Sequence, residues 1–458
     1  MLRLIQQIFN GATPTQLLQT APKVATQKNV KKHSPVSIST TTKEEASESR
    51  RIAKLIMVTS ANNNKFYDMR ENTDGTFTAT YGRVGSAGAQ AIYNIGQWNS
   101  KYNEKIRKGY KDQTRLFTNV VGEESADHLA IDDATVEELI QELMRCARKS
   151  IRHNYMVSAE EVTRQQVEEA QAVLDNLVAR VKKGMRTKYF NDKLLELYQV
   201  IPRRMSHVKD HLITKPKTEK DYETIRDILA QEQATLDVMR GQVDINEQQK
   251  ESEETNISQE KMTLLDAMGI QIEPLENKEL TKVIKRMMGA DKSKFKRAYK
   301  VINLNTQQHF DKHLTTAKNK KTELFWHGSR NENWLSIMTS GLVLRPANAV
   351  INGKMFGYGL YFADKFQKSL NYTSHWGAHW TGGNSKKAFL ALYDVHVGKQ
   401  LKIKHHDSWC YELSEENLKK RGANYDSLFA KGGADLMNNE YIVYNSAQST
   451  IRYLIEIS

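Results

Sequence analysis

The run Leu324-Phe-Trp-His-Gly-Ser-Arg330 joins an apolar strand pattern directly to a histidine, a glycine and two polar residues. It heads a C-terminal region unlike the rest of the chain. From Thr322 onward aromatics and glycines rise, and short apolar runs alternate with Gly turns. Residues 324–326, 359–362, 388–397, 441–444 and 451–457 read as strands, and 334–339 and 365–372 as short helices. This predicts an α+β domain over 315–458 with strands in the majority.

The same stretch carries chemistry. A glycine straight after a strand lets a ligand reach a backbone N–H and C=O together. Gly357-Tyr-Gly-Leu-Tyr-Phe-Ala-Asp364 is an aromatic strand bracketed by glycines, and Lys368-Ser-Leu-Asn-Tyr372 sets a hydroxyl and an aromatic on one face of a turn. Asn439-Glu-Tyr441 brings one carboxylate to a very apolar strand. Aromatic faces, an amide clamp, a hydroxyl, an imidazole and one carboxylate suit a heteroaromatic amide joined to a sugar. Singly, a strand-end histidine or a strand tyrosine is more often structural. Neither a G-x-x-x-x-G-K-[ST] loop nor a G-x-G-x-x-G turn is present, so P-loop and Rossmann sites are unsupported.

Working upstream, residues 132–314 read as helical. Thr135-Val-Glu-Glu138 and Ser158-Ala-Glu-Glu161 are capping boxes, and Val162, Val167, Ala170, Val173, Leu174, Leu177 and Val181 recur on one helix face. The Gln/Glu-rich stretch 246–260 reads as a solvated linker. Residues 53–120 show short strands, an Asp74-Gly75 hairpin turn and a helix over 95–108, a small α+β unit. From Arg51 to Arg115 there are eleven Lys/Arg against five Asp/Glu, a net +6. Residues 1–52 are basic, acid-free before Glu44 and poor in periodic apolar content. They are expected to be disordered, serving as a basic arm or as a mitochondrial presequence.

The whole chain has 458 residues, with 67 Lys plus Arg against 54 Asp plus Glu, hence +13. Such a balance points to nucleic acid before any acidic protein or membrane surface. No run of 18 apolar residues occurs, which excludes a membrane-spanning helix and leaves no membrane partner expected. Two cysteines, Cys146 and Cys410, cannot build a disulfide framework or a Cys-rich zinc site, and no metal is expected.

The segments His327 to Arg330, Gly353-Lys-Met-Phe-Gly357, Gly359 to Asp364, Lys368 to Tyr372 and Asn439 to Tyr444 closely resemble, in order and rough spacing, the catalytic domain of poly(ADP-ribose) polymerases. Residues 132–314 resemble the helical regulatory domain of the DNA-dependent members. The basic unit resembles a WGR domain, through Asn63 to Tyr67 and Gly82-Arg-Val-Gly85. The resemblance is to members without zinc fingers. It implies three domains after a disordered start: an α+β WGR-like domain (53–120), an all-α regulatory domain (132–314) and an α+β ADP-ribosyltransferase domain of mostly antiparallel strands (315–458).

It implies a site as well. His327, Tyr361 and Glu440 would form the family triad that holds NAD and splits its bond to nicotinamide. Tyr372 would stack on the other ring face, and Gly328 and Ser369 would bond the carboxamide. His327 would bond the adenosine ribose, with Ser329 and Arg345 as further adenosine-side contacts. Lys368 and Met355 would stand on the acceptor side, Lys368 equally as a packing residue. Arg83, Lys101 and Lys105 would touch DNA, although each lysine alone reads as a solvated helix face. NAD is consumed as a substrate, and no cofactor is implied. The partners implied are DNA with breaks or ends and protein acceptors, the chain itself included. The implied activity is DNA-break-activated ADP-ribosyl transfer with polymer elongation in a DNA damage response, in the nucleus. The alternatives are single-unit transfer to protein or nucleic-acid ends, a non-catalytic adaptor, and a mitochondrial or cytoplasmic site. Self-modification is expected near residues 43–50.

Two departures stand out. Tyr81 replaces the name-giving Trp, which predicts altered core packing in the WGR-like unit. Asn438 stands where chain-elongating members carry an aromatic, which leaves product length open. Relatives that bind an accessory factor at the C-terminus extend further than this chain, so that partner is not carried over.

Overall fold

The computed structural model describes residues 51–116, 131–154, 162–181, 184–255, 263–344, 355–379, 381–422 and 424–458. Residues 1–50, Ser158 to Glu161 of the second capping box, Arg345 and Gly353 lie outside them.

Strands β1 (Ile52–Val58), β2 (Asn64–Glu71), β3 (Thr76–Arg83), β4 (Ala89–Asn94) and β5 (Lys111–Asp112) form an antiparallel sheet in the order β4-β3-β2-β1-β5, with helix α1 (Trp98–Arg107) before β5. Phe77 and Trp98 pack edge to face in its core. Tyr81 is not in that core. It is 38 % exposed at the edge of that core, on the same face of β3 as buried Phe77 and Ala79, and it stacks at 5.6 Å on buried Tyr67, its cross-strand partner.

Helices α2 (Ala134–Asn154), α3 (Arg164–Val178), α4 (Thr187–Val200) and α5 (Glu219–Thr255) follow. Thr163 and Gln166 cap α3 reciprocally, and Val167, Ala170, Val173, Leu174 and Leu177 are all buried along one face. Helix α5 runs through most of the stretch expected as a linker. Gln, Glu and Lys are good helix formers, and no Gly or Pro interrupts residues 246–255, so a polar composition there extended the helix instead of ending it.

The remainder corrects a boundary. Short helix α6 (Leu264–Ala267) leads to β6 (Ile270–Pro274), α7 (Lys278–Met287), β7 (Phe295–Asn303) and α8 (Leu304–Thr316). Strands β6 and β7 are not part of an all-α region. They belong to the catalytic sheet, which runs β6-β7-β14-β10-β8, with β8 (Thr322–Gly328), β10 (Ala388–His396) and β14 (Ser449–Ile457). The helical region therefore ends before residue 270. Asn303 fixes this corner: its carbonyl oxygen caps α8, and its amide donates to Met338 and Thr339 at 2.6 and 2.7 Å, at the end of α9 (Trp334–Ser340). A second sheet, β11-β12-β13-β9, holds β9 (Leu360–Phe362), β11 (Gln400–Ile403), β12 (Ser427–Ala430) and β13 (Glu440–Val443), with α10 (Phe366–Leu370) after β9 and α11 (Glu415–Lys420) before β12. Among the described strands only β11 and β12 pair in parallel. Reciprocal backbone bonds between Trp326 and Ala363, at 2.8 and 3.0 Å, tie β8 to the chain just after β9 and join the two sheets.

The three parts share cores. Ile56, Val58, Phe66, Val84 and Leu116 of the basic unit pack in one cluster with α3, α4 and α5. Val136, Leu139, Ile140, Leu143 and Met144 of α2 pack against β6, β7 and α9. Among the described residues no helix is long and apolar enough to cross a membrane, and no group of three or more metal-ligating side chains forms.

A histidine pair, one ring buried and the other half-buried, should make stability depend on pH. The carbonyl of Asn319 can only accept, so His396 carries its proton on Nε2, and its Nδ1 accepts from His313 Nε2 at 2.9 Å. Burial, followed by the neighbouring His396, holds the His313 imidazole below the ordinary histidine range, with Glu415 and Asp426 opposing. A lowered folded pKa means that the unfolded chain binds the proton first. The contribution is then present above about pH 6.5 and lost as pH falls below it. Thermal unfolding midpoints should fall between pH 7.5 and 5, and His313→Gln, which keeps a donor toward His396, should flatten part of that slope.

Candidate active site

The site forms where the two catalytic sheets meet. His327 and Gly328 end β8, opposite Ala391 and Leu390 of β10. His327 Nδ1 donates to the Tyr361 carbonyl at 3.1 Å, which leaves Nε2 as the acceptor of the neutral ring. Burial lowers the His327 pKa, only partly offset by that bond, which favours the neutral ring. Trp334, Phe362 and Tyr393 surround the ring with centroids at 6.4, 5.8 and 5.8 Å.

Gly328 has no room for a side chain: a Cβ there would lie 1.9 Å from the Ser369 carbonyl oxygen. Glycine thus lets α10 close on the end of β8 and brings buried Ser369, and Tyr372 just beyond the helix, beside Gly328. Tyr361 sits on β9 opposite Ile442, two residues from Glu440 along β13. Its hydroxyl donates to Gly357 O at 2.9 Å and accepts from Phe356 N at 3.1 Å, which pins the loop before β9. Met355 packs on the same apolar cluster as Tyr361.

Glu440 opens β13 and is 7 % exposed. Its Oε1 pairs with Lys368 Nζ, which also donates to Asn439 O at 3.2 Å. Its Oε2 is buried with no hydrogen-bond partner among the described residues. A buried carboxylate oxygen without a donor is costly, and a hydroxyl donor would relieve it. Burial, then the Glu440 charge, pushes the Tyr372 phenol up to about 12. Burial raises Tyr361 further, with Glu440 and Tyr372 adding to the rise. Both tyrosines thus lie within the field of one carboxylate. Lys368 is lowered, first by burial, with Glu440 opposing.

His327, Gly328, Tyr361, Lys368, Ser369, Tyr372 and Glu440 are therefore brought together. Ser329 lies beside them, its Oγ accepting from Asn333 Nδ2 at 3.0 Å. The ion pair of Lys368 with Glu440 was not read from the sequence. The only signal was a lysine one residue before Ser369 on the same helix. Asn439, which donates to Asp364 at 2.7 Å and accepts from Gly432 N at 2.9 Å, holds the strand entrance, a role that its place in the Asn439-Glu-Tyr441 run does not announce.

Arg83 donates to the carbonyls of Met205 (2.9 Å), Ser206 (2.7 Å) and Asn62 (3.1 Å), which ties the basic unit to the helical region. Lys101 and Lys105 lie over the rings of Tyr93 and Tyr67, at 4.5 and 4.3 Å.

Comparison with known proteins agrees with this arrangement. Residues 275–458 match the poly(ADP-ribose) polymerase catalytic domain, a span that includes β7 and so supports the revised boundary. The poly [ADP-ribose] polymerase-like protein 100L of Invertebrate iridescent virus 6 is 34% identical over 189 residues, 40% of this chain and 96% of that protein. The uncharacterized protein 101L of the same virus is 30% identical over 193 residues, 42% of this chain and 78% of that protein. Human poly [ADP-ribose] polymerase 2 is 33% identical over 167 residues, 29% of this chain and 26% of that protein. The catalytic region is that of an ADP-ribosyltransferase. The chain belongs to the poly(ADP-ribose) polymerase family.

Proposed function

We infer that the chain transfers ADP-ribose from NAD to protein acceptors, itself included, and elongates the product into polymer when its basic unit engages broken DNA in the nucleus. The observation carrying the chemistry is Glu440: a buried carboxylate, one oxygen unpartnered among the described residues, beside two tyrosines and a glycine-lined backbone. In this reading the Gly328 backbone and Ser369 Oγ hold the carboxamide, and Tyr361 and Tyr372 flank the pyridine ring. His327 Nε2 accepts from a ribose hydroxyl. The glycosidic C–N bond breaks with its electron pair passing to the pyridinium nitrogen, and positive charge develops on the ribose. Glu440 Oε2, bonded to the 2′-hydroxyl, places fixed negative charge beside that cation. The same carboxylate takes the proton of the incoming nucleophile. Lys368 holds Glu440 in place until the substrate docks.

Supporting DNA activation is the +6 balance of residues 51–115. Phosphate contacts of that kind carry affinity without sequence information. The unit shares its core with the helices, and the helices pack on the Asn331–Asn333 turn and α9, next to Ser329. DNA would act by favouring a helical arrangement that opens this edge. A direct check lies at Gly241 of α5, where a Cβ would meet Ser336 Cβ at 2.4 Å. Gly241→Ala should wedge α5 from α9, raise turnover without DNA severalfold and lower the unfolding midpoint. Unchanged DNA dependence would remove the coupling.

The test of the whole reading is labelled NAD with and without nicked DNA, followed by product sizing. Polymer on protein, formed with DNA and not without it, is expected. Single units alone would replace elongation by mono-transfer, and no incorporation would leave only an adaptor.

A further inference from the structure

The turn after Tyr372 presents an aromatic ring that the transfer reaction does not use. Trp376 is 70 % exposed. The turn holding it is closely tied. Trp376 N donates to Ser385 O at 2.8 Å, Ser385 N to Ser374 O at 2.9 Å, and Gly377 N to Gly383 O at 3.2 Å. Ser374 Oγ accepts from Asn331 N at 2.9 Å, and Arg330 donates to Thr381 O at 2.8 Å. The turn thus runs beside the Arg330–Asn331 edge of the cleft. The Arg330 side chain is 48% exposed, with its nearest carboxylate, Glu332, at 3.7 Å, and Lys386 at the far end of the turn is exposed.

A large exposed ring on a hydrogen-bonded turn, with Lys386 on the same turn and Arg330 bonded to it, suits a nucleobase carried on phosphates. We propose that this rim is a second binding site, distinct from the cleft, for an adenosine-diphosphate-bearing chain, with an adenine on Trp376 and phosphates on Arg330 and Lys386. ADP-ribose polymer is the favoured occupant over single-stranded nucleic acid. The rim adjoins the cleft where such units are joined, so a tethered product meets it at high effective concentration. The proposal rests on the transfer reading above. Its effect would be to keep the growing chain on the enzyme.

The test uses the full chain carrying Glu440→Gln, which prevents elongation, with labelled ADP-ribose oligomers of fixed length. Trp376→Ala should weaken oligomer binding about 10- to 100-fold, the worth of one base–aromatic stack, and Trp376→Phe should recover most of it. In the otherwise unmutated chain Trp376→Ala should leave the KM for NAD unchanged. Oligomer affinity insensitive to Trp376→Ala would overturn the site. So would a parallel rise in the KM for NAD, which would assign Trp376 to the cleft, or tighter binding of an oligo-dA of matched length, which would make the rim a nucleic-acid surface. If the unmutated chain released no nicotinamide, the transfer reading would fail, while the oligomer measurement would still decide the rim.

Discussion

Glu440→Gln should lower the rate of nicotinamide release by about 10²- to 10³-fold or more and abolish polymer, with the fold retained. The substitution keeps size and planarity but removes the negative charge that the proposed reading sets beside the developing ribose cation. It also strands Lys368, whose side chain is 15% exposed against 10% for Glu440. Breaking a buried pair from one side costs up to about 3–5 kcal/mol, so some loss of stability should accompany the loss of activity. The two effects separate in the double variant Glu440→Gln/Lys368→Met, which should regain most of the unfolding midpoint and none of the turnover. Recovery of both would make the carboxylate a structural partner only. Polymer at the unmutated level in the single variant would contradict the assigned role.

Gly328→Ala should be nearly as damaging, for a different reason. A methyl group placed 1.9 Å from the Ser369 carbonyl cannot be absorbed by a flexible side chain, because the obstacle is backbone. Helix α10 must retreat from β8, carrying Ser369 and Tyr372 from the Gly328 backbone. A destabilisation of about 1–3 kcal/mol is expected from overpacking, together with a large rise in the KM for NAD. Calorimetry and initial-rate kinetics on one preparation would measure both. A normal KM would mean that the glycine serves only packing.

The catalytic strands were legible because each is a short apolar run closed by glycine or polar residues; β8, β9, β10, β13 and β14 all fall on expected positions. Strands β6 and β7 were not. They lie among helices α6, α7 and α8, and β7 carries Lys296, Arg297 and Lys300 among its apolar residues, so nothing local assigns them to a sheet closed by β14, far along the chain. Strands β11 and β12, four residues each, were also missed. The end of α5 is not legible because a polar Gln/Glu-rich stretch suits a solvated linker and an exposed helix alike. The site's residue types were legible, its electrostatics less so. No spacing rule announces that Lys368 and Glu440, 72 residues apart, form a hydrogen-bonded ion pair. A net charge of +6 likewise describes the unit and does not say which guanidinium is held by carbonyl groups from another segment, as that of Arg83 is.

The most direct measurement is a crystal structure of the chain with a non-hydrolysable NAD analogue. The account predicts the carboxamide on the Gly328 backbone, the pyridine ring between Tyr361 and Tyr372, and Glu440 Oε2 within hydrogen-bond distance of the adjoining ribose hydroxyl. An analogue bound elsewhere, or a ribose out of reach of Glu440, would contradict it.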